Sequence, residues 1–346
     1  MESFGFIKQN MPNAQPLYSL CTLDGGTRLD KLLHEALASP RSQVAQWIEA
    51  GLVFVDKAKA RKASKVARYS LLEIYSGQAL AAPKPSESTL AALHIEVIEE
   101  TKDYLILNKP RNLVTHPAPS VRELTLVDYL RFHNYELSTL GGQPRCGLVH
   151  RLDKDTSGAI LIAKNNESHA YFSDLLKART MGRIYLCIIS PPLQQNCIVK
   201  CHLGRNPTNR LKMAKLDPVR FPKARESKSE FVGVLKSRDS KYELVSVRLF
   251  SGRTHQIRVH LSTLGRYIYG DRLYSPDSLS RDYETSMLLH ATLLYFDGRV
   301  FSAKLPKDLL EFLAKHFEDY EEKLEANLIR WQGVLSNSLK EREGLK

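Results

Sequence analysis

From Gly147 the chain runs Gly-Leu-Val, then His150-Arg151-Leu152-Asp153-Lys154-Asp155-Thr156-Ser157-Gly158, then Ala159-Ile160-Leu161-Ile162-Ala163. No other stretch limits the fold as tightly. Five apolar residues behind a cluster of turn formers predict a buried strand, and such a strand holds the polar turn before it rigid. The turn carries Asp153 beside an arginine. A carboxylate on a rigid strand–loop–strand next to a cation stays ionised and stays in place, which is what catalysis asks of it. For an isolated aspartate, the plain alternative is an acidic turn residue that caps a strand.

The chain has 346 residues, enough for two or three domains and a sizeable core. No apolar run reaches the length that crosses a bilayer, and Met1 to Gln15 lacks the apolar core and small-residue cleavage site of a secretory signal. Five scattered cysteines (Cys21, Cys146, Cys187, Cys197, Cys201) fit reduced thiols in a cytoplasmic protein. Cys197, Cys201 and His202 find no second ligand pair at metal spacing, so they are read as strand residues and no metal is expected.

The formal net charge of +12 points to a polyanionic partner. Its placement is more specific. Lys57, Lys59, Arg61, Lys62, Lys65 and Arg68 fall together with no acidic residue among them, and nine basic residues lie between Lys200 and Lys228 against Asp217 and Glu226. The last forty residues reverse the sign.

Residues 1–26 show no periodicity and read as a lead-in. Leu29, Leu32, Leu33 and Ala36 recur at helical spacing with Thr27 as N-cap; a second helix follows, with Val44, Ile48 and Leu52 on one face. Val53-Phe54-Val55 and Leu71 to Tyr75 read as strands, closing a small domain over 27–80. The prolines of 81–90 mark a linker. Beyond it strands dominate: Ile95 to Ile98, Tyr104 to Leu107, Ile184 to Ile189, Tyr242 to Phe250 and Leu288 to Phe296, with helices at Leu126 to Phe132 and His169 to Leu176. The prediction is an α+β domain over 91–310 on a mostly antiparallel mixed sheet with flanking helices, and a charged helical extension over 311–346.

Further segments follow the Asp153 run or precede it: Leu107-Asn108-Lys109-Pro110 with Leu113-Val114-Thr115-His116-Pro117, Arg183-Ile184-Tyr185, Gly252-Arg253-Thr254-His255-Gln256-Ile257-Arg258-Val259-His260, Gly270-Asp271 with Tyr274, and Leu289-His290-Ala291. Together and in this order they resemble the RluA-type family of RNA pseudouridine synthases over about 95–310. Arg28-Leu29-Asp30-Lys31-Leu32-Leu33 and Ile48-Glu49-Ala50-Gly51-Leu52-Val53 resemble the small α/β RNA-binding domain of ribosomal small-subunit protein four; a generic helical cap is the alternative there.

The first resemblance implies an isomerisation of uridine in which no atom is gained or lost and no cofactor is needed. It implies Asp153 as the catalytic carboxylate, Arg258 as the guanidinium that pairs with it, and Tyr185 as the aromatic that stacks on the base and helps remove the proton at carbon five. Arg151, two residues from Asp153, would help displace the nucleotide from its stack. Lys109, His116 and Arg253 are the further candidates for substrate binding. In the small domain, Arg28, Arg41, Lys57, Lys59, Arg61 and Lys62 are candidates for holding RNA through phosphates.

Taken singly, Tyr185 is as well a core aromatic, Arg258 a surface strand residue, Lys109 a turn stabiliser, and His150, His255 and His260 structural hydrogen-bonders. Four positions depart from the family pattern: Asn112 for glycine, which tolerates a left-handed backbone, Arg183 for lysine, and Arg266-Tyr267 for His-Pro. The expected substrate is large-subunit ribosomal RNA, with transfer RNA as runner-up and a monomeric, membrane-free protein. The competing function is a non-catalytic RNA-binding or ribosome-assembly protein. A methyltransferase lacks the glycine-rich loop its cofactor needs.

Overall fold

A two-residue hairpin lies at the basic segment of the small domain. Asp56 and Lys57 both take positive φ (49° and 66°), the backbone of a two-residue turn whose twist matches its flanking strands. They join β2 and β3 in an element order of β1 (Tyr18–Cys21), α1 (Leu29–Leu37), α2 (Arg41–Glu49), β2 (Val53–Val55), β3 (Ala58–Lys59) and β4 (Leu71–Ile74). The sheet order is β1-β4-β2-β3, all antiparallel. Leu29, Leu33, Val44, Ile48, Val53, Leu72 and Ile74 form its core. Fully burying each such side chain contributes roughly 1.5–3 kcal/mol, which a unit this small needs from nearly every one.

This computed structural model describes residues 16, 18–22, 25–37, 41–61, 64–75, 87–117, 123–142, 145–281 and 283–343. They fall into two compact units, one ending at Tyr75 and the other starting at Glu87. Three expectations for the first unit shift. The lead-in holds strand β1, which pairs with β4. Helix α1 starts at Leu29, two residues after Thr27, and Leu52 lies beyond the end of α2, though it is buried with it.

The second unit continues with α3 (Glu87–Ala92), β5 (Glu96–Glu100), β6 (Tyr104–Lys109), α4 (Leu126–Phe132), β7 (Ser157–Ala163), α5 (Asn166–Ala178), β8 (Gly182–Ser190), β9 (Cys197–Arg205), β10 (Met213–Lys215), β11 (Arg225–Lys236) and β12 (Glu243–Leu249). It closes with α6 (Gln256–Thr263), β13 (Tyr267–Ile268), α7 (Asp277–Ser280), β14 (Leu289–Phe296), β15 (Arg299–Ser302), α8 (Lys307–His316) and α9 (Tyr320–Glu343). The strands form one sheet in the order β10-β9-β11-β12-β8-β14-β7-β6-β5, with β13 on β8 and β15 on β14. Only the β7–β14 pairing is parallel, so the sheet is mixed and mostly antiparallel, and the chain is α+β.

Strands β7, β8 and β14 are buried along their whole length. That explains their continuous apolar runs: a strand covered on both faces has no polar side to show. One face of the sheet packs against α4 and α6 through Leu107, Ile162, Tyr185, Leu130, Ile257 and Leu261. The other carries Phe172 of α5, Phe312 of α8 and Trp331 of α9 in separate clusters.

At both ends of this unit the sequence expectations need correction. Of the expected linker, 81–86 lies outside the described residues, and Glu87 onward is the helix α3. The expected break at 310 falls inside α8, and the segment beyond it is part of the packed unit. Trp331 and Leu335 are buried, and the Trp331 indole Nε1–H donates to Ser246 Oγ on β12 at 3.0 Å. No helix among the described residues is long and apolar enough to cross a membrane.

Candidate active site

Asp153 lies in the loop that leads into β7, and neighbouring segments fix that loop through its backbone. The Thr115 hydroxyl donates to Leu152 O at 2.6 Å, and the Leu161 N–H donates to His150 Nε2 at 3.0 Å. Lys109, at the end of β6, donates from Nζ to Pro110 O (2.7 Å), Leu113 O (2.9 Å) and Lys154 O (3.2 Å). These bonds join the 110–117 loop to the Asp153 loop. Lys109 is fully buried and lines neither of the cavities described below. The substrate-binding role expected for it is therefore corrected to a structural one. Burial pushes its ammonium down to about 7, against the pull of Asp153 and Asp155.

Gly158 ends the loop at φ 115°, and a Cβ there would sit 2.3 Å from Ala291 O on β14. Only glycine permits the sheet to close at that point. Asn112 adopts the left-handed backbone expected of it, φ 59°.

Around Asp153 the structure gathers the main sequence candidates. A small pocket is lined by Asp153, Tyr185, Arg258, Arg151 and Arg253, with His255 and Arg183. Arg258 comes from α6, where the sequence showed no helix, and it is buried rather than a surface residue. It faces two carboxylates, the expected Asp153 among them. The two-pronged contact goes to Asp271, with Nε to Oδ2 and Nη2 to Oδ1 both at 2.7 Å, while Nη1 stands 3.8 Å from Asp153 Oδ2. Asp271 also accepts from the N–H groups of Leu273 and Tyr274. Burial opposes the charge on Arg258, but the Asp271 fork and the nearby Asp153 outweigh it and raise its pKa. The guanidinium is thus locked in place by one carboxylate while it faces another.

Tyr185 stands on β8 with its hydroxyl protonated at neutral pH, because burial raises its pKa. His255 begins α6 in a left-handed conformation, φ 54°. Its Nε2 is 3.9 Å from Asp153 Oδ2, and its Nδ1 is 2.9 Å from the Tyr274 hydroxyl. Burial pushes Tyr274 up to about 12, and Arg258 lies 4.9 Å from the centre of its ring.

The pocket shares Arg151, Arg183, Leu249, Gly252 and Arg253 with a cleft of about 710 Å³. Eight lysines and arginines line that cleft, Arg145, Arg179, Lys228 and Arg248 among them, and no carboxylate does. His116 belongs to its wall as a neutral imidazole, since burial and the charges of Arg151 and Arg145 push it down to about 4. Arg253 is tied by Nε to Glu226 O at 3.1 Å.

Sequence reasoning did not single out Asp271, Tyr274 and Arg183 for the site, and read His255 only as a structural hydrogen-bonder. All four lie in quoted motifs, but a linear motif does not state which side chains meet. Arg183 is buried at the mouth of the pocket, and its Nε has no hydrogen-bond partner. The described residues contain no cluster of three or more His, Cys, Asp or Glu suited to a metal ion.

In the first unit, Lys57, Lys59 and Arg61 are exposed at and after the hairpin. Arg28 is held by the Asp30 carboxylate at 3.0 Å, and Arg41 stands 3.8 Å from the same group, so one acid partly offsets two of the six candidates. Lys62 lies outside the described residues.

Known proteins resemble this chain in both units. Residues 103–263 match the RNA pseudouridylate synthase family, and residues 27–68 match the S4 domain. An uncharacterized RNA pseudouridine synthase of Helicobacter pylori is 46% identical over 298 residues, covering 84% of this chain and 90% of that one. The ribosomal large subunit pseudouridine synthase D of Pseudomonas aeruginosa is 30% identical over 315 residues, 86% and 94% of the two chains. The solved structure of human RNA pseudouridylate synthase domain containing 1 shares the fold, with a TM-score of 0.53 at 24% identity over 67% of this chain and 94% of its own. This chain belongs to the RNA pseudouridine synthase family and carries an S4 domain ahead of its synthase domain.

Proposed function

We propose that the chain converts uridine to pseudouridine in large-subunit ribosomal RNA, with Asp153 as the reacting carboxylate. The observation that carries this proposal is a lone acid in a small pocket that opens on a cleft lined by cations. The cleft suits a folded polyanion, and the pocket suits one base withdrawn from it. The name of the Pseudomonas aeruginosa relative supports the ribosomal target.

In the reaction, the bond from ribose carbon one to uracil nitrogen one breaks, the base turns, and carbon one joins carbon five. The proton on carbon five leaves to a base, and nitrogen one gains a proton. Asp153 supplies the carboxylate that attacks, or that removes a sugar proton, as the old bond breaks. Arg258, fixed by Asp271, holds a guanidinium 3.8 Å from that carboxylate in a partly enclosed site. Tyr185 stacks on the base and takes part in the proton transfer at carbon five. Arg151, exposed at the rim of both cavities, takes the place of the displaced nucleotide, offsetting the few kcal/mol that unstacking costs. Arg183, with a free buried Nε, offers a donor to an oxygen of the incoming nucleotide.

The test uses large-subunit ribosomal RNA transcribed with uridine tritiated at carbon five. The protein should release tritium to solvent, and Asp153→Asn should release none while binding the RNA normally. Equal release by the two proteins would refute the assignment of Asp153. Mapping pseudouridine in cells with and without the gene then tests the ribosomal target; new sites confined to transfer RNA would refute it.

A further inference from the structure

His255 touches none of the roles assigned above, yet it stands as near to Asp153 as Arg258 does. Its Nε2 lies 3.9 Å from Asp153 Oδ2, and Arg258 Nη1 lies 3.8 Å from the same oxygen. The imidazole has one other polar contact, the Tyr274 hydroxyl at Nδ1. That hydroxyl accepts from the Met213 N–H at 2.7 Å, so its own hydrogen is available to Nδ1 at 2.9 Å rather than to Met213 O at 3.4 Å. With Nδ1 accepting, the proton of the neutral ring belongs on Nε2, the nitrogen turned toward Asp153. Burial favours that neutral form by lowering the pKa of His255, with Asp153 opposing and Arg258 assisting.

The backbone gives a second, independent sign. His255 sits at φ 54° as the residue before α6, where no side chain caps the helix. A non-glycine residue held in the left-handed region next to a site is strain retained for placement.

We propose that His255 is a positioning residue for Asp153: Tyr274 fixes its tautomer, and its Nε2–H together with Arg258 holds Oδ2, leaving the other carboxylate oxygen to meet the substrate. This rests on Asp153 being the reacting group. At 3.9 Å the contact is longer than a hydrogen bond, and a shift of less than about 1 Å closes it, as catalytic contacts in unliganded sites commonly require.

The test is His255→Gly in the full chain. Glycine suits the left-handed backbone and is accepted at a helix N-cap, so the fold should hold. On tritiated ribosomal RNA at saturating protein, the single-turnover rate should fall roughly tenfold to a hundredfold, with RNA affinity unchanged. Free imidazole, which fits the space vacated, should restore several-fold of the loss. Tyr274→Phe keeps the ring beside Arg258 but removes the hydroxyl, and should slow the same step without rescue by imidazole. A wild-type rate in His255→Gly, or a slow variant that imidazole leaves slow while Tyr274→Phe runs normally, overturns the proposal. If Asp153→Asn is inactive in the same assay, that failure belongs to His255 alone. Full activity in Asp153→Asn would instead refute the parent assignment and this one with it.

Discussion

Replacing Asp271 by asparagine should be among the most damaging single-atom changes in the second unit. The carboxylate is buried and receives four donors: two from the Arg258 fork at 2.7 Å and two backbone N–H groups at 3.1 and 3.2 Å. Asparagine has nearly the same shape but carries no charge, and its amide turns one acceptor into a donor facing a guanidinium N–H. Removing one partner of a buried ion pair typically costs 3–5 kcal/mol, because the other charge stays buried without compensation. Asparagine retains one oxygen and Asp153 remains 3.8 Å from Arg258, so the lower end, about 3 kcal/mol, is expected. At about 2 °C per kcal/mol for a unit of this size, melting should fall by roughly 6 °C. The functional loss should exceed what stability explains. Freed from Asp271, Arg258 would turn its fork onto Asp153 and occupy the oxygen that the substrate needs, so turnover should drop roughly a hundredfold even well below the melting point. Calorimetry and tritium release at 25 °C read the two effects separately. Melting within 1 °C of the wild type together with a normal rate would refute the idea that Asp271 is what holds Arg258.

Arg145→Ala and Lys228→Ala each remove one cation from the cleft; in filter binding across a salt series, each should reduce the slope of log affinity against log salt by about 0.7–0.9, and unchanged slopes would place the RNA elsewhere. His290, buried on β14, accepts at Nδ1 from Ser157 Oγ of β7 at 2.9 Å and donates from Nε2 to Ala303 O. Burial pushes it down to about 4, so between that value and its unfolded value near 6.5 the unfolded chain holds a proton the folded chain lacks. Its contribution is therefore complete above about pH 6.5 and is lost as pH falls toward 4, and His290→Gln should flatten the acid fall in denaturant-measured stability by about 3 kcal/mol. Trp331→Ala should destabilise the second unit by about 3–5 kcal/mol in urea unfolding, since it empties a buried site against Ile184, Val232, Leu293 and Tyr295 and removes one donor to the Ser246 hydroxyl; a change under 1 kcal/mol would return the carboxy-terminal helix to the status of an appendage.

Much of the site was legible because its motifs are contiguous. Asp153, Tyr185 and the strands under them lie in runs whose order can be read along the chain. What stayed hidden is pairing decided in three dimensions. Arg258 and Asp271 are separated by the end of α6, β13 and a turn, and nothing in the spacing says that Arg258 forks to Asp271 rather than to Asp153. Helix α6 was missed for a related reason. Gln256 through Leu261 are all buried, and Ile257, Val259 and Leu261 alternate as they would in a strand. A short helix enclosed on every side has no polar face, so the 3.6-residue period never appears. Strand β1 failed in the opposite way, because Tyr18–Cys21 is exposed along most of its length and shows no buried face to alternate with a polar one. Lys109 was misjudged because a lysine in an RNA-binding protein suggests phosphate, whereas three nearby carbonyls make a better use of its three hydrogens.

These differences share one physical cause. A carboxylate that reacts, as we propose for Asp153, needs few partners of its own, but the loop that carries it must not move, and that demand spreads through residues outside the pocket around it. Lys109 ties the loop to the 110–117 segment, and Thr115 ties it again at Leu152. His150 anchors its start to β7 at Leu161, and Gly158 closes its end onto β14, where His290 takes the Ser157 hydroxyl. Lys109, Thr115, His150, Gly158 and His290 thus occupy motif positions for the sake of geometry. A motif of this length is therefore mostly scaffold, and a chain that kept Asp153 but lost these contacts would hold the right group in the wrong place. That is why the two donors facing Asp153 are themselves secured, Arg258 by Asp271 and His255 by Tyr274. Each fixes a direction that the flexible side chain alone would not keep.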